Sequence, residues 1–124
     1  MFQVTFSDQA IGELNKLSTL DQVQLINQLS DITHSKIKKN SGQIGSFNRD
    51  GIIYHRLRAG EFRIYFEVKP EDILFTHYIL TQHSLTDFLF RFKLPISEEM
   101  LFEQHPSFWK YLESLQSDNY DKRN

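Results

Sequence analysis

The run Tyr54-His55-Arg56-Leu57-Arg58-Ala59-Gly60-Glu61-Phe62-Arg63-Ile64-Tyr65-Phe66-Glu67-Val68 constrains the fold more than any other part of the chain. Apolar residues recur through it on a period of two, the spacing of strands with one face buried. One glycine interrupts the pattern, so it reads as two strands, over 52–58 and 62–68, joined by a tight turn. Closing the hairpin around Ala59-Gly60 puts Leu57 opposite Phe62, His55 opposite Ile64 and Ile53 opposite Phe66 on an inner, mostly apolar side. Arg56 then falls opposite Arg63, and Tyr54 opposite Tyr65, on the outer side. Like charges directly across a ladder repel, so that side suits an anion.

The flanking residues give this hairpin its neighbours. Phe2, Val4 and Phe6 alternate as a first strand. Ser7 is placed to cap a helix whose first turn holds Asp8, and Ala10, Ile11, Leu14 and Leu17 follow helical spacing. Thr19-Leu20-Asp21-Gln22 reads as a capping box, and Val23, Ile26, Leu29 and Ile32 give a second helix its apolar stripe. The segment 36–51 is rich in turn residues and is expected to be a mobile, basic loop. A third meander strand over 73–80 is the most apolar of the set and is expected to have neighbours on both sides. Leu85, Leu89 and Phe92 fit a short helix. Pro95 marks a boundary, after which Phe108, Trp109, Tyr111, Leu112 and Leu115 form a final apolar helix, with disorder expected from about Gln116.

The pattern Tyr-x-Arg-Leu-Arg-x-Gly-x-Phe-Arg-x-x-Phe, followed by another apolar strand, resembles the RelE/ParE toxin superfamily. The likeness covers 2–92. It implies an α+β domain over 1–94, with an N-terminal strand and α-hairpin packed on an antiparallel sheet in the order β-α-α-β-β-β-α. Residues 95–124 form a C-terminal helical extension outside it. Members of the superfamily either cleave messenger RNA on the ribosome or poison gyrase, and a partner antitoxin restrains them. The resemblance therefore implies a metal-independent protein acting on a ribosome–mRNA target or on an antitoxin-like or other regulatory protein, without a cofactor. A cytoplasmic protein is expected separately, from an amino terminus that reads as a strand and from the lack of a long apolar run.

Aligned through the hairpin, Arg63 matches the family's arginine on that strand, and Arg56 falls where one of its lysines sits. His83 lies where a further arginine is expected, and is a candidate acid or base. Tyr54 takes the place of another lysine, while Phe88 or Leu89 replaces a tyrosine. Arg56, Arg63 and His83 are thus the candidate catalytic residues. Tyr54, Arg58, Tyr65, Lys36, Lys38, Lys39 and Arg49 are the candidates for RNA or anion contact. With two basic positions kept and others changed, the implied function is a catalytically altered binding or regulatory module, and an active ribosome-dependent endonuclease is the alternative.

Charge distribution adds a second expectation. The net charge is −2, unlike the basic balance usual for nucleic-acid binders. From His34 to Arg63, however, seven cations stand against two carboxylates, and from Pro95 onward three stand against six. Phe108, Trp109 and Leu112 are candidates for docking a partner, or for packing back so that the acidic segment covers the basic sheet face. The chain of 124 residues has no cysteine, which excludes disulfides and thiol chemistry. Its five histidines lack metal-ligand spacing, and His55 is expected as a hydrogen-bonded core residue. No apolar run is long enough for a spanning helix, so membrane insertion is not expected.

Overall fold

The computed structural model describes residues 1–39, 43–93 and 102–121, with side chains of the last helix described through Gln116. The order is β1 (Gln3–Phe6), α1 (Asp8–Asn15), α2 (Thr19–Ser30), α3 (His34–Lys39), β2 (Ile44–Arg49), β3 (Ile52–Ala59), β4 (Phe62–Lys69), β5 (Ile73–Thr81), α4 (Gln82–Phe92) and α5 (Pro106–Asp121). The five strands form one mixed sheet in the order β1-β5-β4-β3-β2, with β1 parallel to β5 and every other pair antiparallel. This is an α+β architecture. As expected, the apolar β5 has neighbours on both sides.

Local chemistry explains where the elements begin. The Ser7 side chain accepts from Ala10 N and caps α1; Ser18, one residue before the expected position, accepts from Asp21 N and caps α2. Thr81 does the same for α4. β1 pairs with β5 only as far as Thr76. Beyond it the buried Gln9 side chain replaces the missing strand, donating to Ile79 O at 3.0 Å and accepting from Ile79 N at 2.9 Å.

The segment expected to be a mobile loop is mostly regular. It forms α3 and β2, while residues 40–42 lie outside the described residues. Asp50 (φ 53°) and Gly51 (φ 85°) both adopt positive φ and close a two-residue hairpin between β2 and β3. That geometry is the one an Asp-Gly pair favours, because its twist matches the flanking strands.

The β3–β4 register also differs from expectation. The turn is Gly60-Glu61, so Ala59 pairs with Phe62, Leu57 with Ile64, His55 with Phe66, Arg58 with Arg63 and Arg56 with Tyr65. Gly60 has φ 59°, and a positive φ at the first turn position is what a glycine there permits. The shift is two residues, so every side chain keeps its face.

Two cores flank the sheet. The inner one packs Leu14, Leu25, Leu29 and Ile32 against Leu57, Ile64, Phe66, Leu74 and Ile79. The face that α2 buries is therefore centred on Leu25 and Leu29, Ile32 is buried just past its end, and Val23 and Ile26 from the expected stripe are exposed. The outer core joins Phe47, Tyr65, Tyr78 and Leu80 to Leu85, Phe88 and Leu89 of α4 and to Phe102, Phe108, Trp109 and Leu112. The outer side of the sheet is thus covered by α4, Phe102 and α5. Helix α5 continues to Asp121, past the point where disorder was expected.

Candidate functional site: the covered arginine face

Cross-strand pairing builds the outer face in rows. Arg58 and Arg63 lie opposite each other, with Leu80 beside Arg63. The next row runs Gly45, Arg56, Tyr65, Tyr78 across four strands, and the third pairs Phe47 with Tyr54. Three guanidinium groups therefore do share one side of the sheet, as the alternation predicts. Their environments differ sharply.

Arg56 is buried, with 3% of its surface exposed, and Glu103 is fully buried above it. Arg56 Nε donates to Glu103 Oε2 at 3.1 Å, and the Tyr65 hydroxyl donates to the same oxygen at 2.7 Å. Gly45 makes room for this guanidinium. A Cβ at that position would stand 2.5 Å from Arg56 Nη2. Burial and the adjacent Glu103 push the Tyr65 hydroxyl well above its usual pKa, so it stays a donor. Burial also raises the Glu103 carboxyl, against the opposing pull of Arg56 and of the hydrogen bond from Tyr65. A buried ion pair of this kind is held by geometry and satisfied hydrogen bonds more than by Coulomb gain.

The C-terminal segment locks this arrangement. The Trp109 indole donates to the Glu103 carbonyl at 2.7 Å, and its ring packs on Tyr54 (4.7 Å) and Phe47 (5.9 Å). Arg49 lies 4.8 Å above the same indole and reaches Glu113 at 3.5 Å. The Tyr78 hydroxyl donates to Gln116 Oε1, and burial pushes its pKa up to about 12. Phe108 packs edge-on against Tyr65 at 5.5 Å.

The residues singled out from sequence therefore divide. Arg56 and Tyr65 are interior, not open to an RNA strand. Arg49 and Tyr54 are half-buried beneath α5. Arg58 is exposed and Arg63 half-buried, and burial together with Arg58 lowers the Arg63 pKa. His83 is exposed in the first turn of α4, and its side chain makes no hydrogen bond or ion pair with the described residues. Lys36, Lys38 and Lys39 are exposed on α3, whose Ile37 packs on the inner core; Lys36 lines a hollow with Asp31, Ile32, Ile44 and Leu57. Lys36 thus stands on the opposite side of the sheet from Arg56. Phe108, Trp109 and Leu112 are buried within the chain, not presented to a partner.

Two site residues escaped sequence reading. Glu103 was counted only as part of the acidic segment, and Gly45 only as turn chemistry. The available signal was Asp50-Gly51, a two-residue hairpin dipeptide that implies a strand on either side of it. His55, by contrast, is where the alternation put it, buried and 2.7 Å from the Ser46 hydroxyl. His77 is the extra residue of an irregularity in the β4–β5 ladder and bonds Glu67 at 2.9 Å. Among the described residues no group of three or more His, Asp or Glu is placed to hold a metal, and no helix is long and apolar enough to cross a membrane. Compared with known proteins, the chain matches no family model and no curated protein.

Proposed function

We propose that the chain is a RelE-like module that acts by binding a protein or translation-machinery partner and has lost the nuclease chemistry of the family it resembles. One observation carries this reading: Arg56, one of the two basic positions that the family resemblance singles out, is sealed under Glu103 and hydrogen-bonded to it. A nuclease that stabilises a phosphorane electrostatically needs its cations open to the scissile phosphate. Here one is neutralised and desolvated inside an aromatic core.

The RelE-like part rests on order and register. A strand and two helices precede a meander that bears the Tyr54–Phe66 motif, and all three arginines share one face. Strand β2 and helix α3 are additions to the expected order. The exposed Arg58 and the half-buried Arg63 keep some basic surface, which suits weak anion contact but not a complete catalytic set.

Inducible expression of the full chain tests the reading. Harmless expression, with transcripts intact, is the expected result. Growth arrest with cleaved transcripts, abolished by Arg63→Ala, would establish the nuclease instead.

A further inference from the structure

We infer that β3 and β4 carry an oxyanion-binding site whose resident ligand is the chain's own Glu103 carboxylate, which makes the C-terminal segment a competitor in cis for phosphate-class anions. The two donors come from the sheet and the acceptor from outside it. Arg56 Nε and the Tyr65 hydroxyl converge on the single oxygen Oε2, at 3.1 and 2.7 Å. A guanidinium and a phenol hydroxyl meeting at one point form a charge-assisted pair suited to a carboxylate or phosphate oxygen.

The fit of the resident ligand is one-sided. Glu103 Oε1 is buried and has no hydrogen-bond partner among the described residues, so one of the two carboxylate oxygens bears both bonds. The position of the carboxylate is set from behind, through the Trp109 indole bond to the Glu103 carbonyl. Gly45 clears the space for the guanidinium on the sheet side. The site is thus built by β2, β3 and β4 and filled by a separate segment. Charge follows the same division, since residues 34–63 hold seven cations against two carboxylates and residues 95–124 hold three against six.

Substitutions in the full chain separate the site from its ligand. Glu103→Ala empties the place and leaves Arg56 and Tyr65 around it. Its thermal midpoint is expected to fall below wild type and to rise again with inorganic phosphate, measured against chloride at matched ionic strength. The apparent phosphate affinity should be about tenfold or more above that of wild type, as a charge-assisted hydrogen bond implies. The response should vanish in Arg56→Met/Glu103→Ala. If Glu103→Ala does not fold, Glu103→Ser, which keeps an acceptor for Tyr65, takes the same titration. Equal phosphate responses with and without Arg56, or in wild type and variant, would overturn the inference.

A labelled single-stranded RNA distinguishes the source of the anion. Binding by the Glu103 variant that depends on Arg56 points to polynucleotide phosphate and supports the RelE-like reading. A phosphate response without RNA binding keeps the site and assigns it to small anions.

Discussion

Gly45 and Arg56 are register partners across β2 and β3, and the missing side chain of one is the space occupied by the guanidinium of the other. A methyl at position 45 would sit 2.5 Å from Nη2 and 3.1 Å from Cζ of Arg56. An exposed arginine would swing away at little cost, but this one is held by Glu103. Gly45→Ala is expected to destabilise the fold by about 1–3 kcal/mol, the usual cost of overpacking. In an Arg56→Met/Glu103→Leu background most of that cost should disappear, which a urea-denaturation double-mutant cycle measures.

The Arg56–Glu103 pair makes a second, asymmetric prediction. Glu103→Ala takes from a buried guanidinium the carboxylate it is bonded to and should cost about 3–5 kcal/mol. Replacing the whole constellation, as in Arg56→Met/Tyr65→Phe/Glu103→Leu, removes the charges and the donor together and should fall within about 1–2 kcal/mol of wild type. Equilibrium unfolding of the two variants gives the comparison directly.

Trp109→Phe keeps a ring over Tyr54 and removes the indole N–H. The Glu103 carbonyl then loses its buried donor, so a loss of about 2–3 kcal/mol is expected. Trp109 is the only tryptophan, so circular dichroism must follow this variant.

Two imidazoles set the acid side of the stability curve. Burial lowers the pKa of His55 and of His77 below 6.5, the latter against the pull of its Glu67 partner. The unfolded chain therefore binds these protons more readily than the folded chain. Their contribution is complete above pH 6.5 and is lost as pH falls through the lowered folded values. Glu103 acts with the opposite sign, because its raised pKa favours the folded state as pH falls toward 4.5. The paired variant His55→Gln/His77→Gln isolates the imidazoles. Its urea midpoint should change less than that of wild type between pH 7.5 and 5.5, a range about one unit either side of the histidine value.

Much of the fold was legible because it rests on local periodicity. Alternation located β1, β3, β4 and β5, and assigned the hairpin's arginines and His55 to the correct face even where the register was off by two. Period-two patterns survive a two-residue slip, so the faces held while the turn did not. β2 was missed because Gly45, Ser46 and Asn48 look like loop chemistry until their cross-strand partners are known. The Asp50-Gly51 pair was the available hairpin signal. The site itself was only half readable. Sequence shows that arginines share a face and that an acidic, aromatic segment follows, but it does not show that Glu103 meets Arg56 across 47 positions. Such a pairing is a property of tertiary packing, not of spacing.

Arginine-selective labelling of the native chain with phenylglyoxal, read by mass spectrometry, probes the covered face most directly. Arg91, with a side chain 57% exposed, serves as the reactive reference. The predicted result is modification of Arg58 and Arg91 with Arg56 protected until the chain is unfolded. Modification of native Arg56 at the rate of Arg91 would contradict it.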